Sequence, residues 1–342
     1  MSERTSWSQS ANELYPHIRA VAAGMLAHMR GEPNPPEAYQ SMIILHGQTQ
    51  GRSTRLISTL LSAHRPYVQG SMKSGIFGDV PSDLAPSIAK EVRETGFAML
   101  PMKLPQPMID RLTDFARTNE ANFKGGDVEG RGLFDAATPR ARIYSFPARD
   151  CLRSPDIQDV LGDEFLLSLA GRYLGVTPIV DLLTMWWSAV FEEGNASEAA
   201  QLFHFDMDKP RWLKLFIYLT DVDESAGPHV YVERSHRLRN DKVGSLLRRG
   251  YTRIPDADIV DAYGADSLRS IGGPAGTIFV ADTIGFHKGL PPTGRERLVL
   301  QLSYATTLFG GASTPVPMPS PVTPTLAAAM KRRPKTYALF RG

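Results

Sequence analysis

The 342-residue sequence contains a single cysteine, Cys151. One thiol makes no internal disulfide and no thiolate metal cluster. A reducing compartment is expected, and Cys151 is read as a small residue without a chemical role. Excess charge is missing too: 38 basic residues face 36 acidic ones, a formal net charge of +2. That balance gives no general pull toward nucleic acid or an anionic membrane. Long apolar runs are also lacking. Ala20–Met29 is too short to span a bilayer, and the opening MSERTSWSQS lacks the basic start and apolar core of a secretory leader. A cytoplasmic globular protein is expected, with 42% hydrophobic residues available for one large domain or two smaller ones.

What is present changes character along the chain. Residues 1–75 read as a helical N-terminal extension of no legible role. Asn12–Met29 has helical spacing, GEPNPP over Gly31–Pro36 breaks it, and Arg52–Ala63 resumes it with Leu56, Leu60 and Leu61 on one side. Within this region Gly47–Thr54 (GQTQGRST) resembles a phosphate loop. The glycine spacing is one residue short and arginine replaces the lysine, so a polar turn before a helix is the better reading. Helices are then expected over Ser82–Thr95, Pro107–Arg117 and Asp156–Leu174, with a short strand at Phe97–Pro101.

After Gly175 the period shortens. Strand candidates follow at Ile179–Val190, Leu202–Asp206, Leu213–Val222, Val230–Val232, Thr277–Ala281 and Arg297–Tyr304, with turn residues between them. Short strands after helices predict an α+β fold with a mainly β core, an antiparallel barrel or double-sheet jelly roll buttressed by helices. This domain is placed at residues 76–310. The proline-rich tail, residues 311–342, is expected to run extended over the surface.

The chemistry centres on Phe203-His204-Phe205-Asp206. On a strand, residues two apart share a face. His204 and Asp206 then project together while Phe203 and Phe205 pack behind them. An imidazole beside a carboxylate supplies two-thirds of the facial triad that binds non-haem iron with positions left open. His287, just after the strand Thr277–Ala281, is the candidate third ligand. A His-x-Asp pair alone is weak, because a chain with 8 histidines shows one by accident. Arg297 adds weight. Along Arg297–Tyr304 the leucines alternate with Arg297, Val299, Gln301 and Ser303. If the leucines face the helices, Arg297 points inward and needs an anion. The far carboxylate of 2-oxoglutarate is a natural one, held by a bidentate charge-assisted pair; a salt bridge to a protein acid, or exposure at the strand end, is the alternative. Arg295, two residues earlier on the same face, competes; Arg297 is preferred because it lies deeper in the strand.

From about Val92 to Tyr304 the chain resembles the phytanoyl-CoA dioxygenase-like family of Fe(II)/2-oxoglutarate-dependent oxygenases. The carriers are ETGFAMLP, FHFD, KLFIYLTDVDESAGPHVYVERSHR, GFHKG and RLVLQLSY. The resemblance implies a double-stranded β-helix, iron held by His204, Asp206 and His287, and Arg297 as the 2-oxoglutarate anchor. It places Tyr218 where relatives often set an aromatic beside the cosubstrate; plain core packing is the equal alternative. It also implies that O2 and 2-oxoglutarate are consumed, with succinate and CO2 released, while an unactivated carbon of a small molecule is hydroxylated. Because Asp206 fills the carboxylate position, halogenation is disfavoured; desaturation, ring closure and epimerisation stay open. A metal-holding jelly-roll module that binds a sugar or other small molecule without turnover is the alternative outside enzymology. One departure stands out. Relatives commonly show Pro-Gly-Ser-His where this chain reads Glu233-Arg234-Ser235-His236, so His236 is expected to bond backbone, and His229 to be a strand or rim residue. For the substrate side, Trp186, Trp187, Arg142, Tyr144 and the glycine-rich segment 120–135 are candidates to line or cover a pocket.

Overall fold

The computed structural model describes residues 2–67, 75–125, 129–191, 202–237, 240–250 and 252–341, with side chains from residue 12 onward. Its centre is an antiparallel sheet of eight strands. Their spatial order is Phe97–Met99, Ile278–Ala281, Trp212–Tyr218, Arg297–Ala305, Ile179–Ser188, Ile143–Pro147, Ala121–Lys124 and Arg131–Gly132. A second antiparallel sheet sets His229–Val232 between His287–Gly289 and Leu268–Ile271. The two sheets stack face to face, as a double-stranded β-helix requires. Phe216, Tyr218, Phe279 and Val299 of the large sheet meet Tyr231 and Ile271 of the small one.

The alternation along Arg297–Ala305 sets which face does what. Leu298, Leu300, Leu302 and Tyr304 join the outer core with Ile88, Val92, Leu112 and Leu169 of the helical layer. Each such leucine, fully buried, contributes about 1.5–3 kcal/mol. The opposite parity leaves Arg297 and Val299 on the inner face, between the sheets. Helices form at Leu84–Thr95 and Gln106–Thr118 close to the expected spans. The single helix expected over Asp156–Leu174 is two, Pro155–Leu161 and Glu164–Leu174. Asp163 starts the second by accepting the Leu166 N–H at 3.0 Å, an N-cap written inside an apolar run.

The N-terminal helices Ser2–Met29, Pro36–Gln48 and Arg52–Ser62 build a further core. In the third of these, Ile57 and Leu61 are buried, whereas Leu56 and Leu60 are exposed, so the buried stripe is rotated from the one expected. Val21, Met42, Leu45, Ile57 and Leu61 pack against Phe203, Phe205 and Met207. The extension therefore walls the back of the FHFD segment. The tail does more than run over the surface. Val316–Pro317 pairs with Phe340–Arg341, a helix spans Pro324–Arg332, and Leu326, Ala329 and Phe340 enter the outer core. Among the described residues no helix is long and apolar enough to cross a membrane.

Candidate metal centre

The FHFD segment is not a regular strand. It makes two isolated bridges, Phe203 with Ile254 and His204 with His287. The second brings distant parts of the chain together. His204 N–H donates to the His287 carbonyl at 3.0 Å, and His287 N–H returns the bond to His204 at 2.9 Å. Asp206 N–H donates to the Thr283 carbonyl at 2.8 Å. Backbone alone thus fixes the start points of all three side chains. The side-chain parity is as expected: Phe203 and Phe205 turn into the helical extension, and His204 and Asp206 turn the other way.

One donor atom each from His204, Asp206 and His287 lies within 4.8 Å of the others. The Asp206 carboxylate is 3.9 Å from His204 Nε2 and 3.4 Å from His287 Nε2. Each imidazole is oriented from behind. His204 Nδ1 is 3.2 Å from the Leu202 carbonyl and His287 Nδ1 is 2.9 Å from the Gly285 carbonyl. A carbonyl only accepts, so each Nδ1 is held by a fixed acceptor, and Nε2 is the atom each ring turns toward Asp206 and would offer to a metal. Burial, with help from His287, pushes the His204 pKa down to about 3. Burial opposes the charge on Asp206, but the Lys214 ammonium and the neighbouring imidazoles outweigh it and hold its carboxyl well below the usual range. A neutral imidazole and an ionised carboxylate are the protonation states a divalent metal needs.

Lys214 was not singled out from the sequence. Its Nζ lies 2.5 Å from Asp206 Oδ2, with both side chains largely buried. The signal was present: in the strand WLKLFIY, Lys214 shares parity with Phe216 and Tyr218, the inner face. His229 was underrated as a strand or rim residue. It is a strand residue, but buried on the inner face. Its ring stacks on His287 at 5.3 Å and lies near Phe216 and Phe279, and its Nε2 has no hydrogen-bond partner among the described residues.

Arg297 is buried at the end of the inner face. Among the described residues its only near partners are Ser188 Oγ at 3.4 Å and the Leu290 carbonyl at 3.5 Å, both at the limit of a hydrogen bond. Its Nε has none, and no carboxylate pairs with it among the described residues. Arg295, the competitor, is exposed and paired with Asp223. Tyr218 sits between the sheets with its hydroxyl committed: it donates to the Ile271 carbonyl at 2.7 Å and accepts from the His229 N–H at 3.2 Å.

The substrate-side candidates separate by strand parity. Trp186 lies on the inner face, packed on the cluster that holds Phe216 and Val299. Trp187 is fully buried outward, stacked on Phe134 at 4.4 Å, with its Nε1–H on the Ala116 carbonyl. Tyr144 belongs to that outer core as well. Arg142 lies over the Phe191 ring. The segment 120–135 forms the last two strands of the sheet, Ala121–Lys124 and, at the edge, Arg131–Gly132; residues 126–128 lie outside the described residues. A cavity of about 320 Å³ opens beside the first of these strands, bordered by Asn122, Lys124, Ser145, Asp181 and Thr184. Asp181 bonds to Ser303, which pairs with Lys214 in the sheet. Burial raises the Asp181 pKa to about 6.

No family model and no curated protein sequence matches the chain. Solved structures do. It is similar to the non-heme alpha-ketoglutarate-dependent epimerase SnoN from nogalamycin biosynthesis, at 16% identity over 65% of this chain and 82% of that one, TM-score 0.46. It is similar to EctD from S. alaskensis with bound Fe, at 14% identity over 70% and 83% of the two chains, TM-score 0.46. EvdO2 from Micromonospora carbonacea var. aurantiaca, complexed with 2-oxoglutarate, matches at 16% identity over 73% and 98%, TM-score 0.45.

Proposed function

We propose that the chain is an Fe(II)- and 2-oxoglutarate-dependent oxygenase of the phytanoyl-CoA dioxygenase-like kind, acting on a small molecule. His204, Asp206 and His287 hold the metal, and Arg297 anchors the far carboxylate of 2-oxoglutarate. The observation that carries this reading is the unpaired Arg297. A guanidinium buried without a counter-anion is costly, and a fold keeps one where a ligand supplies the anion. It lies on the same inner face as the three donor side chains, with His229 between. His229 Nε2 is free to hydrogen-bond the same ligand, and the Phe216, Phe279 and Val299 walls exclude water from it.

Iron bound here supplies the activation of O2, coupled to conversion of 2-oxoglutarate to succinate and CO2. The protein's own part is orientation. Leu202 and Gly285 carbonyls aim the imidazoles, and Lys214 steadies Asp206. Hydroxylation is the proposed outcome, because Asp206 retains the carboxylate ligand; one oxygen atom of O2 then enters the product. Anaerobic Fe(II) with 2-oxoglutarate should give a weak visible charge-transfer band, followed by succinate once O2 is admitted. Absence of both from folded protein would instead make it a metal-holding binding module. A substrate screen by succinate yield, with product mass, separates hydroxylation from desaturation, cyclisation and epimerisation.

A further inference from the structure

A cleft of about 340 Å³ lies away from the metal ligands, at the seam between the N-terminal extension and the jelly roll. Four arginines border it: Arg55, Arg93, Arg211 and Arg237. Among the described residues the one carboxylate on its wall is Asp282, which already accepts from the Tyr173 hydroxyl and from the Ile284 N–H. None of the four arginines has a carboxylate partner among the described residues. A chain of nearly balanced charge thus gathers a local surplus of guanidinium groups around one concavity.

Two of these groups are held in place. Arg211 donates to the Tyr173 carbonyl at 3.1 Å and lies 5.1 Å over the Tyr173 ring. Arg93 lies over the same ring at 5.9 Å and donates to the Arg172 carbonyl. Such anchoring lowers the ordering cost of binding. Arg55 and Arg237 are exposed at the rim, where they can close on a ligand. The start of helix Arg52–Ser62 borders the cleft through Gly51 and Thr54, and Gly51 provides no side-chain cap. The positive end of that helix adds to the same field. These residues belong to the GQTQGRST turn. It is not a phosphate loop by spacing or by fold, yet it delivers Gly51 and Thr54, and with them the next residue, Arg55, to a basic cavity.

We propose that this cleft binds a phosphate-type dianion, free or carried on a small molecule. The planar fork of arginine matches phosphate oxygens in pairs, and a dianion answers the surplus charge where a single carboxylate leaves most of it unpaired. Asp282 and Ile284 precede His287, and Pro210 and Arg211 follow Asp206. A bound anion therefore ties the extension to both segments that carry the metal-ligand side chains.

The test is calorimetric titration of the full chain with inorganic pyrophosphate and, separately, with a nucleoside diphosphate, at constant ionic strength. Saturable binding is expected. The double variant Arg55→Glu/Arg237→Glu should weaken it about tenfold or more. Lys331→Glu/Lys335→Glu changes net charge equally, on exposed residues outside the cleft, and should leave it within about twofold. Equal affinity for the two probes identifies a free anion as the ligand; tighter nucleotide binding identifies phosphate on a larger molecule. No saturable binding, or equal loss in both double variants, overturns the proposal. Circular dichroism of each variant confirms that it is folded. No step uses oxygenase turnover, so failure here leaves the metal-centre reading standing.

Discussion

Replacing Arg297 by methionine should make the ligand-free protein more stable while removing its response to 2-oxoglutarate. In the structure the guanidinium is buried, its Nε has no partner, and its remaining contacts are 3.4 and 3.5 Å long. An unsatisfied buried donor costs about 1–3 kcal/mol. Exchanging a buried charge for an apolar side chain of similar volume stabilises proteins by about 1–4 kcal/mol. A gain of about 1–3 kcal/mol is therefore expected from urea unfolding of metal- and ligand-free protein. Burial pushes the Arg297 pKa down from its ordinary value. A base with a lowered folded-state pKa bears its full cost at every pH below that pKa, so the gain should be flat across the neutral range. With metal and about 100 Kd of 2-oxoglutarate, the native protein should gain about 2.7 kcal/mol and the variant almost none. A variant less stable than the parent without ligand would show that Arg297 serves the fold. A variant that keeps the ligand-induced gain would remove it as the anchor.

Asp206→Ala should abolish the rise in unfolding midpoint that Fe(II) or Mn(II) gives the native protein; a retained rise would place the metal elsewhere. Lys214→Met strips the ammonium from a buried carboxylate, and metal-free protein should lose about 3–5 kcal/mol in urea titration. A loss under about 1 kcal/mol would mean that Asp206 finds its countercharge in another group. Cys151 is fully buried, its thiol donates to the Phe146 carbonyl at 3.3 Å, and burial raises its pKa. Iodoacetamide should leave native protein unmodified and label it only after denaturation, by intact mass; rapid native labelling would contradict that burial.

The sequence was informative wherever side-chain parity is strict. Along Arg297–Ser303 leucine takes every second position, so both the outward leucines and the inward arginine could be read in advance. The same rule separates Trp186 from Trp187, yet as adjacent aromatics in an apolar strand they give no hint of which is inside. Helix Asp156–Leu174 failed as one element because Gly162 and Asp163 interrupt an otherwise continuous apolar pattern, and a cap inside a run looks like an exposed polar position. Lys214 was missed because a lone lysine in a strand normally faces water; carboxylates elsewhere in the chain, Asp206 first, then Asp208 and Asp181, give it a reason to be buried. The FHFD segment kept the parity of a strand without the ladder, since parity depends on local extension and the ladder on partners far along the chain. The arginine cleft needed four separate stretches of chain, and no local pattern announces such a meeting.

The reciprocal backbone pair between His204 and His287 has a consequence for how the ion comes and goes. The donor atoms converge by virtue of amide hydrogen bonds that exist before any ion arrives. If these side chains hold an ion as proposed, they form a finished receptor, not a set of loose arms that an ion must gather. Exchange of one divalent ion for another should proceed without refolding, and the ranking among ions should follow their intrinsic appetite for nitrogen and oxygen donors, rising from manganese to copper. On the proposed reading, the ion held is thus decided by supply, and the chemistry can change with it while the architecture stays the same.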